Sequence, residues 1–178
     1  MKLVTFFIAA LFTWGGYYSA FGQSWLQVTN APVENWWASA CSADGNKLVV
    51  VYGKAIFNGG DTYVEGSIYT STNFEVNWTQ ADNIPSCIWI AITSSADGQH
   101  LVAIPSDNST FIYSSGDFGA TWNPINTPSA LLNCICSSAA GNKLAAGEWN
   151  DFPPNPSLIY TSTNAGLNWT ANNSPSQY

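Results

Sequence analysis

Short apolar runs follow one another along the chain, separated by polar punctuation. The clearest are Trp36–Cys41, Leu48–Tyr52, Trp89–Ser94, Leu101–Ile104, Leu132–Ser137 and Leu144–Ala146. None carries a sustained 3.6-residue period, so each predicts a short β-strand and not an amphipathic helix. The runs come in pairs, and Asp44-Gly45 and Asp97-Gly98 stand between the members of two of them. Gly141 keeps the glycine in the third pair, with Ala140 in place of the aspartate. Such a dipeptide predicts a tight hairpin with both central residues at positive φ.

The pairs belong to a repeat. The phrase SADGNKL at Ser42–Leu48 returns as SADGQHL at Ser95–Leu101 and SAAGNKL at Ser138–Leu144. An Ile-Tyr-x-Ser run then precedes a second phrase, whose fullest copy is Ile112–Trp122, with further copies at Ile159–Trp169 and Ile68–Trp78. Its core is Ser-x-Asp-x-Gly-x-Thr-Trp: Ser115, Asp117, Gly119, Thr121 and Trp122. Ser162, Asn164, Gly166 and Trp169 hold these places in one copy, and Ser71, Asn73 and Trp78 in the other. Trp78, Trp122 and Trp169 fall 44 and 47 residues apart, and one four-stranded propeller blade takes about 40–50 residues.

Each repeat therefore predicts strands A and B joined by the first phrase, strand C on the Ile-Tyr run, and strand D starting at the tryptophan. The second phrase resembles the Asp-box (BNR) repeat, a hairpin turn of sialidase-like β-propellers. The resemblance covers nearly all of the chain beyond its first residues and implies an all-β propeller-type array. About three four-stranded antiparallel blades are expected over residues 36–80, 89–124 and 132–171, preceded by one extra strand at 25–31. Three blades and a strand do not close a ring, since propellers take about four to eight blades. The chain is then either part of a longer propeller or one half of a homodimer that completes a six-blade ring.

The repeated turn residues have turn reasons. The short oxygens of Ser115 and Asp117 can accept backbone N–H groups. Gly119 supplies an angle costly for other residues, and Trp122 can wedge between sheets. Glu75 replaces the glycine in the first copy, which predicts a strained or altered turn there.

Aromatic residues make up 15% of the chain and charged residues 8%, the opposite of a disordered composition. Residues 1–22 read as a secretory signal: Lys2, the apolar run Leu3–Trp14, then Ala20-Phe21-Gly22. Gly15-Gly16 interrupt the run, which argues against a membrane anchor. The mature chain, 23–178, is thus expected outside the cell or in the periplasm, without a membrane span. It keeps three lysines against eleven acids, and that charge repels nucleic acid and anionic lipid.

Metal and cofactor chemistry find no support. There is no CxxC pair, and His100, the one histidine, occupies the place of Lys47 and Lys143 at a strand end. Cys134 and Cys136 are two apart on one strand and face the same way, poorly placed to bond each other. Their repeat columns hold Ala38 and Ala91, and Ala40 and Thr93, so buried free thiols are expected.

Sialidases hold a substrate carboxylate with three arginines, and this chain has none; its basic residues are Lys2, Lys47, Lys54 and Lys143. Scattered lysines do not replace a bidentate clamp, so sialidase activity is not expected and no catalytic residue carries over. A two-carboxylate glycosidase needs no arginine. The B–C segments Gly53–Gly66, Pro105–Thr110 and Gly147–Pro156 read as irregular loops that share one face of the array. They carry Asp61, Glu65, Asp107, Glu148, Trp149 and Asp151, with Phe57, Tyr63 and Phe152 beside them. Acids beside aromatic rings suit sugar binding, since rings stack on apolar sugar faces and carboxylates accept hydroxyl protons. The leading expectation is a non-catalytic binding or scaffold module for a glycan or protein. The rival is a glycoside-hydrolase-type propeller acting on a neutral polysaccharide, or a fragment of one; a purely structural repeat is the third.

Overall fold

The described residues form twelve strands in three antiparallel sheets of four. The structure, a computed structural model, describes residues 31–58, 61–73, 77–106, 110–129, 131–149 and 157–173. The expected signal at 1–22 and most of the expected strand at 25–31 lie outside them. The first sheet contains β1 (Trp36–Cys41), β2 (Leu48–Asn58), β3 (Asp61–Ser71) and β4 (Thr79–Gln80), in that spatial order. The second contains β5 (Trp89–Ser94), β6 (Leu101–Pro105), β7 (Phe111–Ser115) and β8 (Asn123–Asn126). The third contains β9 (Leu132–Ser137), β10 (Leu144–Glu148), β11 (Leu158–Ser162) and β12 (Thr170–Asn173). Each sheet is thus a meander, the form of a propeller blade, and the three do not close on themselves. Each fourth strand begins just after the tryptophan of the repeated turn, not on it.

The first strands share a defect at the same place. The pairing of β1 with β2 shifts between Trp36 and Ala38, that of β5 with β6 between Trp89 and Ala91, and that of β9 with β10 between Gly147 and Glu148. A bulge re-aims the side chains around it. Here it sets Trp36, Trp89 and Leu132 on one face and the small residues that follow on the other.

Sheets stack through apolar faces. Val49, Val51 and Ile68 of the first sheet form one cluster with Cys87, Trp89, Ile92, Leu101, Ala103 and Trp122. Ala91, Val102, Ile104 and Ile112 of the second form another with Leu132, Leu144, Ala146 and Tyr160 of the third. Trp122 is buried against the preceding sheet, as a wedge should be, while Trp78 and Trp169 are half-buried.

The turns between first and second strands differ from the expected type. Only the glycines take positive φ: Gly45 at 73°, Gly98 at 72° and Gly141 at 74°. The bond from Gly45 N–H to Ser42 carbonyl at 3.0 Å closes a four-residue turn, and Gly98 and Gly141 repeat it. The loops are therefore four residues long, and the aspartate serves as an acceptor. Asp44 Oδ1 takes the Ser42 hydroxyl and the Asn46 N–H, and Asp97 Oδ1 takes Ser95 and Gln99 alike. These bonds, the serine hydroxyl first, hold both carboxyls below their ordinary range.

Candidate functional site

The antiparallel order puts the first-to-second and third-to-fourth turns at one end of every sheet. That end is a closed hydrogen-bond system. Ser115 Oγ accepts Gly119 N–H at 2.8 Å and donates to Asp117 Oδ1 at 2.8 Å. Asp117 accepts Thr121 N–H at 2.8 Å and the Thr121 hydroxyl at 2.7 Å. Those bonds, the Thr121 hydroxyl first, bring the Asp117 carboxyl down to about 2. Phe118 and Gly119 stand at φ 58° and 83°, and Ala165 and Gly166 at 56° and 87°. Ser162 and Asn164 repeat the bonds to Gly166 N–H at 2.9 Å and Asn168 N–H at 2.9 Å. In the first copy Ser71 donates to Asn73 at 3.2 Å, and Asn73 takes Asn77 N–H at 3.0 Å. Glu75 lies outside the described residues.

Neighbouring turns are also tied to each other. Ala43 N–H donates to Ala96 carbonyl and Ala96 N–H to Ala139 carbonyl, both at 2.8 Å. Lys47 Nζ donates to Asp97 carbonyl at 2.8 Å and lies 5.3 Å from the Phe118 ring centre. His100 is exposed and its Cβ packs against Gly141. Ser42, Asp44, Ser95, Asp97, Ser115 and Asp117 are thus all bonded within the turns.

The opposite end is where the repeats diverge. Between Gly53 and Gly66 the expected irregular loop is instead a regular ribbon: β2 and β3 stay paired from Lys54↔Glu65 to Asn58↔Asp61. Two glycines make it feasible. Gly53 and Gly66 are paired across the ribbon base, and the chain entering the second sheet crosses there. A Cβ on Gly66 would lie 1.9 Å from Cys87 carbonyl oxygen, and one on Gly53 would lie 2.4 Å from Ile88 Cα. Beyond that crossing the arm projects clear of β1 and β4, with Phe57 80%, Tyr63 55% and Val64 48% exposed.

At the arm's base lies a polar cleft of about 410 Å³ lined by residues that include Tyr52, Glu65, Gln80, Asp82 and Ser86. Lys54 Nζ bridges Glu34 at 3.5 Å and Glu65 at 3.3 Å. The Tyr52 hydroxyl donates to Glu65 at 3.4 Å. Burial first, then the charges of Glu34 and Glu65, push Tyr52 up to about 12, so the phenol stays protonated.

The expected site residues are thus partly gathered and partly dispersed. Glu65 lines the cleft. Asp61 is at the arm's tip, four residues further along the same strand, about 13 Å at ~3.3 Å per residue. That exceeds the roughly 5 Å or 6.5–9.5 Å between the carboxyls of retaining or inverting glycosidases. Glu148 is on the third sheet, where it accepts the Ser129 hydroxyl at 2.8 Å and Leu158 N–H at 3.2 Å, clamping two connections together. Trp149 follows it, 62% exposed, with its backbone N–H bonded to Leu131 carbonyl at 2.9 Å. Asp107 and Asp151 lie outside the described residues. Asp82, which sequence reasoning passed over, shares the cleft with Glu65 because the link to β5 folds back beneath the arm.

The cysteines correct another expectation. Cys87 is buried, but Cys134 and Cys136 are exposed. Their strand faces outward from the third sheet, where no described residue covers it. Among the described residues no three His, Cys, Asp or Glu gather as a metal site.

No protein-family profile and no curated protein matches the sequence. Solved structures do. The chain is similar to YCF48 bound to D1 peptide, with TM-score 0.55 and 12% identity over 78% of this chain and 39% of that one. It is similar to the GH74 enzyme of Niastella koreensis, with TM-score 0.57 and 19% identity over 77% and 22%. It is also similar to the nidogen–laminin complex, with TM-score 0.59 and 15% identity over 79% and 48%. The fold is that of β-propeller blades. The chain spans less than half the length of each of these proteins.

Proposed function

We propose that this chain is a secreted Asp-box repeat protein, a non-catalytic binding or scaffold module. Its glycan or protein ligand lies at the end that carries the arm and the long connections. The serine–aspartate turn bonds support the Asp-box reading, and Lys2 with the apolar run after it supports export. The observation that carries the binding reading is the state of the side chains at that end. Among the described carboxylates there, Glu148 is held in a clamp and Glu65 in an ion pair. The rings of Phe57, Tyr63 and Trp149 are 80%, 55% and 62% exposed. Exposed aromatic residues on a rigid scaffold are recognition chemistry. The neighbours include a protein bound to a peptide and a GH74 xyloglucanase from Xanthomonas campestris.

The test is titration with a soluble xyloglucan oligosaccharide, following tryptophan fluorescence, beside an assay for new reducing ends. Saturable binding without cleavage is expected, weakened at least tenfold by Trp149→Ala or Phe57→Ala. A second reading, a glycoside-hydrolase-type propeller, rests on Glu65 and Asp82 lining one cleft. Release of reducing ends, abolished by Glu65→Gln or Asp82→Asn, would replace the binding reading with it. Absence of any saturable ligand, sugar or peptide, would leave a structural repeat.

A further inference from the structure

The two interfaces inside the chain are built alike. In the first, Trp89 meets Tyr113 edge-on at 5.3 Å and 81°, and this pair, with Leu101 and Ala103, packs on Val49, Val51 and Ile68. In the second, Leu132, Ala146 and Tyr160 pack on Ala91, Ile104 and Ile112. Every sheet therefore has a leading face, with a large first-strand residue beside the third-strand tyrosine. Its trailing face carries the third-strand isoleucine beside small first-strand residues.

Among the described residues nothing covers the third sheet's trailing face. Ile159 is 43% exposed, whereas Ile68 and Ile112, at the same register position, are at 0% and 1%. Cys134 and Cys136 are exposed, whereas Ala91 and Thr93, which match them, are at 7% and 8%. The first sheet's leading face carries the complementary set. Trp36 meets Tyr69 edge-on at 5.8 Å and 83°, the arrangement of Trp89 and Tyr113, and Tyr52 lies 5.9 Å from Trp36. Trp36 is partly exposed, while Trp89 is at 0%; Tyr69 and Tyr113 are both partly exposed, and Tyr52 is buried at 3%.

We propose that the bare trailing face receives the leading face of the first sheet from a second copy of this chain. The reciprocal contact closes a two-fold ring of six sheets. Continuity with the chain's own interfaces selects this occupant, because the same face-to-face contact is already made twice within one copy. Size complementarity agrees: Cys134, Cys136, Ala145 and Gly147 are small where Trp36 and Tyr69 are large. Two copies of three sheets fall within the four to eight blades of closed propellers, and closure leaves no apolar sheet face for open-ended polymerisation. The proposal rests on sheet faces and is independent of the ligand.

Two readouts on the full secreted chain test it: mass by light scattering coupled to size exclusion, and alkylation of Cys134 and Cys136 located by peptide mass. The expected result is a single species of two chains with both thiols slow to react. Ile159→Asp should yield single chains and speed labelling at least tenfold, with the far-ultraviolet β-sheet spectrum unchanged. Val64→Asp, on the arm and similarly exposed, should leave the mass at two chains. A single-chain mass at every concentration with freely labelled thiols would overturn the proposal. So would an open ladder of polymers, or a dimer indifferent to Ile159→Asp.

Discussion

At one end of the sheets the described turns are held by their own hydrogen bonds, and the copies at Ser115–Trp122 and Ser162–Trp169 share one geometry. At the other end the three second-to-third-strand connections differ: one is an arm paired from Lys54↔Glu65 to Asn58↔Asp61, one joins β6 to β7, and one is tied at Glu148. The turns keep short oxygens and positive-φ glycines because the backbone demands them. The arm and loops meet no such demand, so selection there is left to act on what they touch. Polar residues that recur with the repeat at the turn end thus serve the scaffold. Exposed rings that break the repeat at the other end are candidates for recognition.

That contrast can be broken by substitution, and the largest effect is expected where the two ends depend on one another. Gly66→Ala places a Cβ 1.9 Å from Cys87 carbonyl oxygen and 2.5 Å from Tyr52 carbonyl oxygen. The base of the arm cannot hold its crossing, and a loss of about 4 kcal/mol or more is expected in chemical unfolding. Trp122→Ala empties the wedge between first and second sheets and should cost about 3–5 kcal/mol, read as a fall in midpoint. Trp169→Ala, half-buried, should cost less. Ser115→Ala leaves Gly119 N–H without its acceptor and should cost about 1–3 kcal/mol in thermal melting.

The acid response is smaller and has a defined sign. Asp117 titrates lower in the folded chain, at about 2, than its ordinary 3.8. Its stabilisation is therefore fully present above the ordinary value and is lost as pH falls through the folded one. The melting temperature should hold to about pH 4 and then decline toward pH 2, and Asp117→Asn should flatten part of that decline. Asn164 occupies the matching place in the third sheet, so Asn164→Ala should leave the acid limb unchanged. Smallest of all, Phe57→Ala and Tyr63→Ala should move stability by no more than about 0.5 kcal/mol while altering ligand affinity. A large stability loss from either would mean that the arm is scaffold after all.

Much of the scaffold was legible because punctuation and pattern agreed. Trp36–Cys41, Trp89–Ser94 and Leu132–Ser137 are bounded by the repeated Ser-Ala phrase on one side, and their extents match the strands. The hairpin type differs because the pattern suggests Asp44-Gly45 and Asp97-Gly98 as turn centres, whereas the central pairs are Ala43-Asp44 and Ala96-Asp97, one step earlier, and each aspartate also acts as an acceptor. The arm is hidden in the sequence because Gly53 and Gly66 read as strand breakers, whereas they are the opening through which Cys87–Ile88 passes. The overlooked signal was Gly59-Gly60 between Asn58 and Asp61, a two-residue hairpin cue flanked by matched apolar positions. Exposure of Cys134 and Cys136 was beyond sequence reasoning, because burial of a sheet face depends on what lies against it. Asp82 reads as link chemistry until the link is seen folded under the arm.

The most direct test of the division between the two ends is a hydrogen-exchange footprint of the full chain with and without saturating xyloglucan oligosaccharide. Ligand-induced protection is expected at residues 53–66 and around Trp149, with no change at 115–122 or 162–169. Protection confined to those turns, with the arm and Trp149 unaffected, would contradict the account.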